Sequence, residues 1–321
     1  MTRVFYASTF ESVVVSRMVL APFYALMMEN RELFCTGIGI DTHREGDRYK
    51  RVLRGPDFKK FEGDYKEYDT HMNADITDMA HCVVYQLCEH LGYTPYALRI
   101  LTGVLTDFMF PVIEMLTDLF VAVGIQPSGN YGTAELNSIR NVLIMMYCFV
   151  VLGGDITTFF LVNVIITYGD DFVLGISINI TDWFNPTSIQ KVVIFEMNMI
   201  LTDSSKSLES IDWTKDEDVT FLKRTAVYSD LFGRYIMPIN KESIYKALLF
   251  YIPSRKSSTI EQFSGLFRSA LDELVFHCDA IEFERIRRLF AEALAEHCAV
   301  EFIEGLSVLP TFEEMITRLT T

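Results

Sequence analysis

The stretch VIITYGDDFVL, residues 164–174, constrains the fold more tightly than any other part of the chain. Val164, Ile165 and Ile166 precede a Gly169-Asp170 step, and Phe172, Val173 and Leu174 follow it. Short β-branched and aromatic runs on either side of a Gly-Asp pair predict a tight antiparallel hairpin. Its tip is chemically odd. One polar residue suffices to make a turn soluble, yet Asp170 and Asp171 stand side by side. Two carboxylates held together repel and shift each other's pKa unless a cation lies between them.

A second acidic stretch, GDYKEYDTHM, places Asp64 and Asp69 five positions apart. With residues 61–66 extended, Asp64 stands at a strand end and Asp69 in the turn after it. Asp57 and Glu62, in DFKKFEG, share that spacing. Only Asp64 follows an apolar, strand-like approach with Gly63 beside it, so Asp57 and Glu62 are expected to be solvated surface charges. The third stretch is PSGNYGTAELNSIRN. Its Pro, Ser, Asn and Gly content predicts a flexible loop rich in backbone donors, with Thr133 capping the helix behind it. Thr133, Asn137 and Asn141 then fall at i, i+4 and i+8, on one face. A polar stripe on a helix that continues as VLIMMY needs partners. It is either a buried hydrogen-bond network or a site for a polyhydroxyl ligand such as a ribose. A carboxylate from one strand end and a pair from a hairpin tip can clamp two Mg²⁺ ions, which suits in-line phosphoryl transfer.

Composition bounds these ideas. The 321 residues allow roughly two domains or one large one, and a hydrophobic content of 50% allows a sizeable core. A net charge of −15, from 43 acidic and 28 basic residues, argues against a protein that coats nucleic acid by neutralising phosphates. It leaves room for acids that hold metal ions. Cys35, Cys82, Cys88, Cys148, Cys278 and Cys298 lie in apolar segments without framework spacing and read as reduced, buried thiols. His-Cys dipeptides at His81, His277 and His297 lack the C-x-x-C pairing of a zinc site. The N-terminus has no signal-peptide pattern. The longest greasy region, 142–166, is cut by Gly153, Gly154 and Asp155, and reads as a buried helix followed by a strand rather than a transmembrane segment.

Along the chain, helical spacing covers residues 9–30, interrupted by Pro22, and residues 43–53 read as a charged surface helix or turn. Two helices are predicted near 73–91 and 95–108, then a short strand in LFVAVGI, the glycine-rich loop and the helix to Leu152. After the hairpin, Pro186 opens a helix to about Ile200, and a short strand, VTFLKR, begins near 219. From Lys241 the pattern is helical, with breaks near Pro253, Cys278 and Pro310. The middle section alternates strands and helices, giving an α+β fold.

Taken in order, D-x4-D, SG-x3-T-x3-NS-x2-N, YGDD and FLKR resemble the RNA-dependent RNA polymerases of picorna-like positive-strand RNA viruses. The opening TRVF is similar to the tail of that family's basic fingers motif, and the section after Phe221 to its thumb. The resemblance implies a polymerase palm, an antiparallel sheet with packed helices, in residues 57–224. It implies a mainly helical thumb in 225–321, and a remnant of the fingers and their connection to the palm in 1–56. It further implies template-directed RNA synthesis from NTPs by two-metal catalysis, with Mg²⁺ or Mn²⁺, in host cytoplasmic, membrane-associated replication complexes containing other viral proteins. By resemblance Asp64, Asp170 and Asp171 are the metal-binding catalytic acids. Lys206 matches the general acid for the leaving pyrophosphate. Asp69 and Asn137 sense the ribose 2′-hydroxyl, with Ser128 and Thr133 in support, and Arg3 contacts the triphosphate and base. Lys223 and Arg224 support the RNA primer end.

Family members carry a large fingers region upstream of TRVF, whereas here Met1 stands two residues before Arg3. A fragment, or an upstream part on another chain, is expected, and with it weak activity of these residues alone. Two rival readings remain. A reverse transcriptase shares a hairpin with paired aspartates but would exclude ribose with a bulky side chain. A non-catalytic palm-fold remnant or interaction module would keep the fold alone.

Overall fold

The computed structural model describes residues 6–53, 55–115, 117–202, 211–250, 252–298 and 301–320. Helices α1 (Phe10–Glu29) and α2 (Gly46–Val52) precede strand β1 (Phe58–Lys66). Next come α3 (Ala74–His90), α4 (Pro95–Met109), β2 (Val112–Met115), β3 (Asp118–Val121), α5 (Thr133–Val151) and α6 (Phe159–Val162). The hairpin of β4 (Asn163–Tyr168) and β5 (Asp171–Ser177) leads to α7 (Pro186–Met197) and β6 (Ile200–Thr202). Short strands β7 (Thr220–Phe221), β8 (Arg224–Thr225), β9 (Val227–Ser229) and β10 (Arg234–Ile236) introduce the helices α8 (Lys241–Leu248), α9 (Thr259–Leu274), α10 (Ala280–Cys298), α11 (Phe302–Ser307) and α12 (Phe312–Thr320). The chain forms two compact units, residues 1–40 with 51–221, and residues 41–50 with 222–321.

In the first unit, side-chain caps set the helix starts. Asn73 accepts from the Asp75 and Ile76 amides at α3, and Thr94 accepts from Ala97 at α4, where Pro95 fills a position that needs no amide donor. Asn185 and Ser188 form a reciprocal capping box at α7. Pro22 lies inside a continuous α1 rather than interrupting it. The sheet is antiparallel, in the order β4-β5-β1-β6. Residues 35–37 run along the outer side of β4, where the Gly37 amide donates to the Thr167 carbonyl (2.7 Å) and the Thr167 amide to the Cys35 carbonyl (2.8 Å). That edge is therefore paired rather than left open.

Strand alternation decides which side chains meet the helices. Phe61 and Tyr65 of β1 join Phe172, Leu174 and Ile176 of β5 in one cluster with Ile144, Met145, Cys148 and Phe149 of α5 and Ile189 and Val193 of α7. The Phe172 ring lies 5.3 Å from Phe61 and 5.7 Å from Tyr65, centroid to centroid. At its other end α5 buries Leu136 and Ile139 in a second cluster with α1, α3 and α4. Serving two cores, α5 is apolar nearly all round from Val142 to Val151. By length and composition α1 and α5 could each cross a membrane, but 56% of the α5 window is buried within the protein, as expected of a core helix.

Two sequence expectations need correction here. Only β3 was expected near LFVAVGI, yet β2 pairs with it from Val112↔Val121 to Met115↔Asp118. The sequence there, MLTD, contains no glycine, asparagine or proline, so nothing local announced a hairpin. All six cysteines are free thiols, but Cys82 is exposed and only Cys88 and Cys148 are fully buried.

The second unit is mainly helical. Phe267 of α9 stacks on Phe290 of α10 at 4.4 Å, over a core that includes Leu271, Phe283, Leu294, Met315 and Leu319. A Ser258–Glu261 capping box starts α9, and the Arg287 guanidinium of α10 donates to the carbonyls of Leu306, in the last turn of α11, and of Leu309 just after it.

Candidate active site

The hairpin turn is two residues long, because Tyr168 pairs directly with Asp171. Gly169 adopts a φ of +66° at the first central position, which is the requirement of a type II′ turn and suits the right-handed strand twist. Asp170 is therefore held at the tip and Asp171 opens β5, both exposed. On the neighbouring strand Gly63 pairs with Phe172. Asp64 and Asp171 are each the next residue along, on strands about 5 Å apart. The register thus brings Asp64, half-buried, to the same end of the sheet as the Asp170-Asp171 pair. Gly63 is needed for this approach. A β-carbon there would lie 2.5 Å from Phe172 Cζ and 2.8 Å from Leu201 Cδ1.

Helix α5 fastens the turn. The Gly169 amide donates to Ser138 Oγ (2.9 Å), and Asn141 Nδ2 donates to the Gly169 (3.3 Å) and Asp170 (3.1 Å) carbonyls. Asn141 Oδ1 accepts from the Tyr65 hydroxyl of β1 at 3.2 Å. Asn141 therefore links the two acid-bearing elements through one buried amide. Burial raises the Tyr65 and Tyr68 pKa values, so both phenols remain protonated donors. Replacing Asn141 with Leu leaves two carbonyls and a phenol unsatisfied. The expected cost is ~1–3 kcal/mol of stability, measured by urea unfolding, with a parallel loss of activity as the turn loosens. Unchanged stability would mean that water replaces the amide.

The ribose candidates lie on elements that touch one another. The Asp69 carbonyl accepts from the Gln126 amide (3.0 Å), which brings the turn after β1 against the loop before α5. Asn137 is buried, and its Oδ1 accepts from Arg140 Nη1 at 2.8 Å. The Tyr68 hydroxyl donates to the Asn137 carbonyl at 3.1 Å. Thr133 is not the cap of α5. Gly132, at φ +79°, occupies the cap position with no side chain to offer, and the Thr133 hydroxyl instead donates to the Asn130 carbonyl at 2.8 Å. Ser128 is exposed in the loop. Arg3 and Lys206 lie outside the described residues. Among the described residues, no three His, Cys, Asp or Glu side chains enclose a metal ion by themselves.

Glu62 corrects a sequence expectation. It is not a solvated charge but is 9% exposed. Its carboxylate accepts from both the Thr220 amide (2.7 Å) and the Thr220 hydroxyl (2.6 Å). Burial raises its pKa, and the Thr220 hydrogen bonds partly offset that rise. Lys60, also buried, pairs with Asp216 at 2.9 Å. The sheet face away from α5 and α7 is thus crossed by residues 214–220, bound through polar contacts. Asp57 is exposed, as expected.

In the second unit, Lys223 is exposed and sits at φ +60°, next to Leu222 at +56°. Two consecutive left-handed residues give a sharp turn that projects the lysine. The Arg224 side chain is held in place by its neighbours. Its guanidinium forms a bidentate pair with Glu273, at 2.9 and 2.5 Å, and donates to the Met237 carbonyl. Sequence reasoning picked neither Glu273 nor the Gln126, Ser138 and Arg140 side chains. A charged residue in the apolar helix run NSIRNVLIMMY was the one available signal for Arg140.

The chain matches the family model of viral RNA-dependent RNA polymerase over residues 2–287. It is 27% identical over 301 residues to the replicase polyprotein of Drosophila C virus (strain EB), an alignment covering 89% of this chain and 17% of that protein. It is 25% identical over 307 residues to the replicase polyprotein of Cricket paralysis virus, again covering 89% and 17%. Against the RNA1 polyprotein of Grapevine fanleaf virus identity rises to 33% over 171 residues, covering 52% of this chain and 7% of that one. Its fold is similar to the Sicinivirus 3Dpol RNA dependent RNA polymerase, with a TM-score of 0.75, 15% identity, and coverage of 98% of this chain and 61% of that chain. The α+β architecture expected from the sequence is thereby borne out. The chain spans a small part of the polyproteins it matches and less than two thirds of the solved polymerase.

Proposed function

Because the chain belongs to the viral RNA-dependent RNA polymerase family, we propose that it carries the catalytic centre of template-directed RNA synthesis and replicates a viral RNA genome. The observation that carries this reading is the register of β1 on β5, which sets Asp64 at the same sheet end as Asp170 and Asp171. Residues 57–224 then serve as palm with inserted fingers helices, and 225–321 as thumb. The RNA 3′-oxygen attacks the α-phosphorus of an NTP, the bond to the bridging oxygen breaks, and pyrophosphate leaves.

Asp64, Asp170 and Asp171 offer hard oxygen donors suited to Mg²⁺ or Mn²⁺. With no closed protein cage among the described residues, water and phosphate would complete the coordination, the usual Mg²⁺ pattern. When bound, the ions would neutralise charge on the nucleophile and the leaving phosphates. Asp69 and Asn137 hold the sugar of the incoming nucleotide, and the loop from Ser128 to Thr133 shapes the space around it. Lys223 carries the charge that meets the RNA primer end, on a turn anchored by the Arg224–Glu273 pair. Lys206 and Arg3 complete the triphosphate contacts. The partners are an RNA template and primer, NTPs and other viral replication proteins, on membrane-associated complexes of the host cytoplasm.

Primer extension on a primed RNA template, by a polymerase that includes this chain, tests the reading. NTPs should be added in template order with Mg²⁺ present. Preference for dNTPs would point to a reverse transcriptase, and no extension under any nucleotide would point to a non-catalytic module. Asp69→Ala and Asn137→Ala should each narrow the kcat/KM ratio of NTP to dNTP. A site that hydrogen-bonds a hydroxyl penalises the analogue lacking it, because its own polar groups go unpaired. An unchanged ratio in both variants would assign these residues to the core alone.

A further inference from the structure

Arg140 lies in α5 with no surface exposed. Its Nη1 donates to Asn137 Oδ1 (2.8 Å) and Gln126 Oε1 (2.5 Å). Among the described residues, Nε and Nη2 have no hydrogen-bond partner. Burial lowers its pKa to about 10, with partial compensation from Tyr68 and Tyr24, so it stays protonated at neutral pH. His81 is buried nearby, and burial together with the Arg140 charge lowers its pKa to about 3. It is therefore neutral and adds no second charge. No ion pair to Arg140 is seen among the described residues, and a guanidinium buried without a carboxylate is costly. An apolar residue would fill the same helix position without that cost.

An arginine does one thing here that an apolar residue cannot. It donates and never accepts. Both amides that face Nη1 must therefore turn their oxygens inward, and their nitrogens the other way. Gln126 Nε2 finds Thr133 Oγ1 at 3.3 Å and the Pro127 carbonyl at 3.4 Å. Asn137 Nδ2 makes no hydrogen bond among the described residues, yet it is not among the sealed, unpartnered atoms. Asn137 is thus fixed as a hydrogen-bond donor with its N–H free for a ligand. The main-chain N–H of Gln126 donates to the main-chain carbonyl of Asp69 at 3.0 Å, which ties the turn carrying Asp69 to the residue whose side chain meets Arg140. A 2′-hydroxyl can accept from the Asn137 N–H while donating to the Asp69 carboxylate. A deoxyribose leaves that N–H unpaired, and with the amide locked it cannot rotate to escape the penalty.

We propose that Arg140 is a positioning residue for ribose selection, which locks the Asn137 amide so that its N–H faces the sugar. This rests on the polymerase reading above. The test compares kcat/KM for a matched NTP and dNTP in a polymerase that includes this chain. Arg140→Met, of similar length, and Arg140→Gln, which can accept as well as donate, should each lower the ratio about tenfold. Arg140→Lys, still only a donor, should stay within about threefold of wild type. In an Asn137→Ala background, Arg140→Met should lower the ratio no further, because the amide it orients is gone. A folded Met or Gln variant with the wild-type ratio would overturn the proposal. So would additive effects in the double variant, or failure of both variants to fold, which would assign Arg140 to stability alone. Failure of the polymerase reading looks different: the wild type itself would then extend no RNA.

Discussion

Asp170→Asn will reduce nucleotide addition roughly 10³-fold or more, a barrier increase of ~4 kcal/mol, and leave the fold intact. The two halves of that expectation have separate grounds. Asp170 is exposed at the tip of the turn. The turn is held through main-chain atoms, since Asn141 bonds to the Asp170 carbonyl and Ser138 to the Gly169 amide. The substitution keeps size and main chain, and exposed changes of this kind usually move stability by no more than ~0.5 kcal/mol. Catalysis has no such tolerance. Asp64, Asp170 and Asp171 are gathered at one sheet end, and an amide in place of one carboxylate removes a unit of negative charge where cations must bind. The measurement is single-nucleotide primer extension with Mg²⁺, beside thermal unfolding followed by circular dichroism. Wild-type rates in the variant would end the assignment of Asp170 as a catalytic acid. A large fall in the unfolding midpoint would show that the carboxylate supports the turn itself.

The second large effect belongs to the helical unit. Glu273→Ala should destabilise residues 222–321 by ~3–5 kcal/mol, because it leaves a buried guanidinium without its partner. Glu273 accepts from both arms of Arg224 and also meets the His43 ring at 3.0 Å. The Glu273 and Arg224 side chains are 16% and 14% exposed. Burial alone would raise the Glu273 pKa, but the His43 and Arg224 hydrogen bonds and the Arg224 charge outweigh it and hold the value at about 2. A carboxylate held below its unfolded pKa stabilises the protein fully above that unfolded value. The contribution is lost as pH falls through the folded one. The wild type should therefore lose stability between about pH 4.5 and pH 2. Glu273→Gln should be weaker at neutral pH and flatter across that window. Urea titrations at several pH values read both effects. Equal stability of Glu273→Ala and wild type at pH 7 would show that solvent replaces the pair at no cost. Because Arg224 anchors the turn that projects Lys223, the same variants should weaken primer use where they still fold.

Much of this could be read directly from local chemistry. Two β-branched runs around Gly169-Asp170 forced a two-residue hairpin, because few turns reverse a strand so tightly. Pro186 announced the start of its helix, at a position that needs no amide donor. The order of the acidic, glycine-rich and YGDD stretches was enough to suggest the family. What sequence could not decide was which polar groups would be buried and by whom. Glu62 looked like a solvent charge, but its partner Thr220 stands 158 positions away. Arg224 read from the sequence as support for the RNA primer end, and only the fold shows that Glu273 takes both of its arms. Thr133 looked like a cap, but the backbone at Gly132 had already turned left-handed. Turn and helix signals act over three or four residues, and a sequence displays them directly. Desolvation of a charge depends on what the packed chain places beside it. That is why the acids of the candidate site were visible in the sequence, while the buried amides, phenols and arginine that hold them emerged only from the fold.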